Sequence, residues 1–69
     1  MSKLREKRKA LGLTLFDVAL GSKVREPYIS AIETRKTIAY PGQRRALAGF
    51  YGVEEKELFD EKGFAREAE

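Results

Sequence analysis

The chain has no cysteine, no histidine and no tryptophan among its 69 residues, and only two prolines. Without cysteine there is no disulfide, and without cysteine and histidine the usual ligands for zinc, copper and iron are missing. The lack of histidine also removes the commonest general base and the side chain that titrates near neutral pH. No nucleophile–base pair, metal cluster or glycine-rich phosphate loop takes their place, so the composition argues against an enzyme and implies no cofactor. A cysteine-free chain fits a reducing cytoplasm. No apolar run approaches the roughly 18 residues of a membrane span, and the start, MSKLREKRKALG, lacks the apolar stretch of a signal peptide. Membrane partners are therefore not expected. β-Branched runs of strand period are missing too, which leaves an all-α chain.

Charge is present and unevenly spread. Residues 1–36 carry nine Lys or Arg against four Asp or Glu, and residues 37–53 add Arg44 and Arg45. Residues 54–69 carry three basic and seven acidic groups. The basic part attracts a polyanion and the acidic end avoids one, although such runs also serve as ordinary solvated surface.

The punctuation divides the chain into five short helices. Ser2 caps a first helix to about Leu11, with Gly12 as its stop. Thr14 followed by Asp17 is a variant capping box opening a second helix, which ends near Gly21-Ser22-Lys23. A third runs from about Glu26 to Thr34, with Pro27 in its first turn, where a missing N–H costs nothing. After a break at Tyr40-Pro41-Gly42, a fourth helix spans about Gln43–Tyr51 and a fifth about Glu55–Phe59. These elements form one domain over residues 1–60. The acidic tail, 61–69, is too polar to assign to an element, and it either contributes to dimerisation or stays disordered.

Two short helices joined by a tight turn, the second exposing polar residues at its start, make a helix-turn-helix at helices two and three. Here the chain resembles the DNA-binding domains of phage repressors and Cro proteins, the XRE type. The resemblance runs without gaps from about Leu4 to Phe59. It rests on Arg8, Gly12-Leu13-Thr14, Val18-Ala19, Val24, YISAIE at 28–33, Lys36, Leu47-Ala48, Gly52-Val53 and ELF at 57–59. It implies a compact five-helix fold whose third helix lies in the major groove of double-stranded DNA.

The resemblance places Arg25, Glu26 and Pro27 at the leading edge of that helix, with Ala31 one turn on, as base contacts. Arg25 can donate to guanine O6 and N7, Glu26 can accept from cytosine N4, and Ala31 can touch a thymine methyl. Pro27 offers apolar contact alone. Lys23, Tyr28, Ser30, Thr34, Arg35, Lys36, Arg44 and Arg45 are the phosphate-contact candidates. Tyr28 and Ser30 can equally be packing or solvated groups. Arg8 and Glu33 are implied as a partly buried structural ion pair tying helix one to helix three.

Four positions depart from the family pattern. Leu15 replaces a polar residue at the start of helix two. Lys23 and Arg35 replace glycines, at about 1 kcal/mol each where φ is positive. Arg44 stands where helix four buries a leucine, so that either the helix starts later or the arginine snorkels to solvent.

Phe16 and Leu20, one turn apart, fall at positions that are polar in the family. They are scattered surface residues, a seat for Phe64 of the tail, or a patch for an unidentified protein partner. Leu58, Phe59 and Phe64 are the candidates for a homodimer contact, unless they simply close the core. Sixty-nine residues leave room for a DNA-binding domain and little else. The function expected is a sequence-specific transcription regulator, a repressor acting as a homodimer. The alternatives are an antitoxin-like or accessory DNA-binding factor, and a protein-interaction module that has lost DNA binding.

Overall fold

The structure, a computed structural model, describes residues 1–68. Its elements follow in order as α1 (Lys3–Ala10), α2 (Leu15–Ser22), α3 (Glu26–Glu33), α4 (Pro41–Tyr51) and α5 (Glu55–Leu58). Each start has a local cause. The Ser2 hydroxyl accepts from the Arg5 N–H at 3.2 Å and caps α1. At α2, Thr14 Oγ1 accepts from the Asp17 N–H at 3.1 Å and Asp17 Oδ2 accepts from the Thr14 N–H at 2.9 Å, closing a reciprocal capping box. The hydrogen bonds from Thr14 hold the Asp17 carboxyl below the usual carboxylate range.

α4 begins earlier than its composition suggests. Pro41, expected in a break, is its first residue, and Gln43 Oε1 turns back to accept from the Tyr40 N–H at 2.9 Å. Neither the proline nor the glycine after it obstructs the first turn, because a helix needs no N–H there. The later start considered for α4 is thus corrected. Arg44 lies half-buried, donating to the Ala39 carbonyl, with Glu55 3.7 Å from its Nε.

Two helix ends use the left-handed conformation without glycine. Lys23 has φ 65° and ends α2, donating its N–H to Ala19 at 2.8 Å. Arg35 has φ 59°, and the Lys36 N–H reaches back to the Ala31 carbonyl at 2.9 Å, closing α3.

The core is built from Leu4, Val18, Val24, Ile29, Ile32, Ala39, Leu47, Ala48, Leu58, Phe59 and Ala65. α2 packs against both α3 and α4, and α3 also packs against α1. At Gly21 the Phe50 ring lies directly on the α2 backbone. Phe50 meets Tyr51 edge to face at a centroid distance of 5.0 Å.

The acidic tail is strapped across the domain by backbone hydrogen bonds, which residue polarity does not reveal. Arg66 donates to Leu58 and accepts from Lys3, both at 2.8 Å, and the Ala39 N–H donates to Gly63 at 2.8 Å. Ala65 is completely buried. Asp60 turns the strap: its Oδ1 accepts from the N–H groups of Lys62 at 2.9 Å and Phe64 at 3.0 Å. Desolvation pushes the Asp60 carboxyl up, but those bonds, another from Gly63 and the nearby Arg35 charge outweigh it and hold the carboxyl below its ordinary range. Among the described residues no helix is long and apolar enough to cross a membrane.

Candidate nucleic-acid interface

α3 is divided sharply between two faces. Ile29 and Ile32 are fully buried, whereas Arg25, Glu26, Pro27 and Tyr28 are all exposed at its start. Ser30 and Ala31 are half-buried on the turn that follows. Apolar burial behind the helix fixes its rotation, so its first turn projects into solvent. Arg25 supplies the N-cap backbone without a side-chain cap bond. Its guanidinium is thus left for an outside partner.

Arg8 and Glu33 lock this helix to α1. Arg8 Nε donates to Glu33 Oε2 at 2.8 Å and Nη2 donates to Oε1 at 3.1 Å, in a two-pronged pair. The third arm, Nη1, donates to the Leu13 carbonyl at 3.0 Å and so also holds the α1–α2 turn. The side chains are 12% and 3% exposed, respectively. The hydrogen bond it donates to Glu33 raises the Arg8 pKa above its ordinary value, so the guanidinium stays charged. Tyr51 stands beside the pair. Burial, and then the Glu33 charge, push its hydroxyl up to about 12.

The basic candidates fall into two groups. Lys23, Lys36 and Arg45 are exposed, and neither they nor Arg25 form an ion pair among the described residues. Arg35 and Arg44 each lie near carboxylates. Arg35 lies over the Phe64 ring at 5.6 Å and approaches Asp60 at 3.9 Å and Glu67 at 3.6 Å. Both positions, taken from the sequence as phosphate contacts, have acidic neighbours: Glu55 of α5 beside Arg44, and Asp60 and Glu67 beside Arg35, which stays exposed. The Thr34 hydroxyl, another such candidate, donates back to the Ser30 carbonyl at 2.9 Å.

The apolar candidates also separate. Leu58 and Phe59 are 2% and 3% exposed, so they close the domain's own core and present no surface for a second copy. Phe64 packs on Arg35, which overturns the alternative that it sits over Phe16 and Leu20. Those two remain 57% and 65% exposed.

Sequence reasoning missed a groove beside the leading edge of α3. Its lining includes Lys23, Val24, Arg25 and Tyr28 on one side and Tyr40, Gln43 and Ala46 on the other. Tyr40 had no signal beyond preceding Pro41. Periodicity says nothing about which residue ahead of one helix will face the start of another.

Residues 3–57 match the family described as Helix-turn-helix domain. The match begins at the start of α1 and extends into α5. The chain belongs to the helix-turn-helix domain family. No curated protein and no solved structure matches the chain. In this helix-turn-helix domain the motif itself is α2, the Lys23–Arg25 turn and α3.

Proposed function

We propose that this helix-turn-helix domain is a sequence-specific, double-stranded DNA-binding transcription regulator of the phage repressor and Cro type. In this reading it represses as a homodimer on a two-fold operator. The carrying observation is the division of α3, with two isoleucines fully buried behind an exposed Arg25-Glu26-Pro27-Tyr28 edge. A helix held so from behind can enter a major groove, where its first turn meets base edges. Arg25 then pairs with guanine, Glu26 accepts from cytosine and rejects other bases, and Ala31 meets a thymine methyl. Lys23, Lys36 and Arg45 supply phosphate contacts, with Tyr28 and Ser30 as neutral donors. Two half-sites about one helical turn apart match two copies of α3.

Duplex binding measured against salt and the mass in solution test this together. If each of two subunits neutralises about three phosphates, log K falls against log salt with a slope near −5. Salt-insensitive binding to another protein, with no duplex affinity, would sink the proposal. The neighbouring exposed pair Phe16 and Leu20 favours a second reading, an accessory DNA-binding factor that works with a protein partner.

A further inference from the structure

α2 is apolar almost all round. Its eight residues, LFDVALGS, hold one charged side chain in a chain that is 36% charged. That one, Asp17, turns its carboxylate back to the Thr14 N–H at 2.9 Å. Val18 is fully buried, and Leu15 and Ala19 are half-buried against the core. The outer face carries Phe16 and Leu20, 57% and 65% exposed and one helical turn apart. A helix that is apolar all round is normally a buried one, yet this outer face is open. Of the other large apolar side chains left exposed, Met1 and Leu11 flank the two ends of α1, and Tyr28 and Tyr40 carry hydroxyls. Phe16 and Leu20 are the pair that share one helix face.

We infer that a second copy of this chain covers the face. The two α2 helices pack antiparallel about a two-fold axis, with Phe16 of each copy against the partner's Leu20. The inference rests on the homodimer reading and names its contact. Three features select a second copy. The face has no free charge, so neither an acidic nor a basic partner finds a complement there. Spaced at i and i+4, Phe16 and Leu20 are self-complementary: reversing one helix sets each ring on a leucine, as an isologous contact requires. The residues that composition offered for a dimer are taken up within the chain, Leu58 and Phe59 in the core and Phe64 against Arg35. The contact uses no residue of α3, so the base-reading candidates are left for DNA. Two side chains per copy fall well short of the roughly 800 Å² per partner of a standard interface. The association is therefore weak in solution and is completed on DNA, where two half-sites hold the copies at high effective concentration.

The test compares the full wild-type chain with Phe16→Gln/Leu20→Gln and with Leu11→Gln, a control that removes an exposed apolar side chain elsewhere. All the replaced side chains are more than half exposed, so thermal unfolding should stay close to that of the wild type. Mass is followed by sedimentation over rising protein concentration. We expect the wild type and Leu11→Gln to pass from monomer to dimer and the double variant to stay monomeric. On an inverted repeat enriched by the wild type, the double variant should bind at least about tenfold more weakly, with unchanged affinity for a single half-site. The chain has no cysteine, so introduced thiols report the geometry. An equal mixture of Phe16→Cys and Leu20→Cys should oxidise to the mixed pair in preference to either symmetric one. A double variant that dimerises and binds the repeat as the wild type does would overturn the inference, as would cysteine pairs formed in random proportion. A wild type that dimerises through this face yet enriches no duplex would keep the contact and remove the DNA reading. Half-site binding by a chain that never pairs, even on the repeat, would keep the DNA reading and remove the contact.

Discussion

Gly21 offers a stringent test of the packing, because helix propensity and tertiary structure make opposite predictions for it. It lies inside α2 with ordinary helical backbone, so propensity alone predicts that Gly21→Ala stabilises by about 1 kcal/mol. In the fold, an added Cβ would overlap Phe50 Cε1 and fall 2.6 Å from Cδ1 and 3.3 Å from Cζ. The ring that would have to yield also meets Tyr51 edge to face. Overpacking of this kind costs typically about 1–3 kcal/mol and can cost more when a ring must leave its rotamer. With an overlap this deep the cost falls in the upper part of that range, about 2–3 kcal/mol, so the net loss after the propensity gain is about 1–2 kcal/mol. At about 4–8 °C per kcal/mol for a domain of this size, melting should fall by roughly 5–15 °C. Gly49→Ala provides the control: it lies within α4 with nothing within 4 Å of its Cβ, so it should be neutral or stabilising. The double variant Gly21→Ala/Phe50→Leu should recover part of the loss. If Gly21→Ala melts at or above the wild type, the close seating of α4 on α2 is wrong.

Glu33→Ala should lower stability by about 3–5 kcal/mol in urea denaturation, because it leaves the Arg8 guanidinium, 12% exposed, without its carboxylate. A loss of DNA binding in a Glu33→Ala protein of unchanged stability would refute the structural role. Lys23→Gly should raise stability by about 1 kcal/mol by relieving a φ of 65°, and a calorimetric scan showing lower stability would contradict the αL strain. The Tyr51 hydroxyl titrates at about 12 in the fold, against 10.0 as its ordinary value. Its protonated form therefore stabilises the fold below pH 10, and the contribution disappears as pH rises through 12. Tyr51→Phe should lessen the alkaline loss of stability and be close to neutral at pH 7, since that hydroxyl makes no hydrogen bond in the fold. An unchanged alkaline profile in Tyr51→Phe would count against its burial.

Where a local signal existed, it was legible. Thr14 and Asp17 announce α2, and the observed capping box follows from the chemistry of those two side chains. The apolar spacing of Val24, Ile29 and Ile32 identifies the buried side of α3 and so exposes Arg25 to Tyr28 by elimination. Features set by distant parts of the chain were not legible. Pro41 and Gly42 read equally well as a break or as a first turn, and only the return bond from Gln43 decides between them. The tail looked too polar to pack, yet backbone pairing with Leu58, Lys3 and Ala39 holds it and brings Glu67 within 3.6 Å of Arg35. Leu58 and Phe59 could serve a dimer or a core by composition alone, and burial assigns them to the core. Tyr40 entered the candidate interface because α4 folds back beside α3.

The central proposal is that the first turn of α3 reads bases. The measurement that tests it most directly is selection from a random duplex pool at near-physiological salt, with the wild type run beside Arg25→Ala. The account predicts an enriched inverted repeat for the wild type and the same repeat, blurred at one symmetric position, for Arg25→Ala. Salt-sensitive binding with no enriched sequence, or an identical repeat in both proteins, would contradict it.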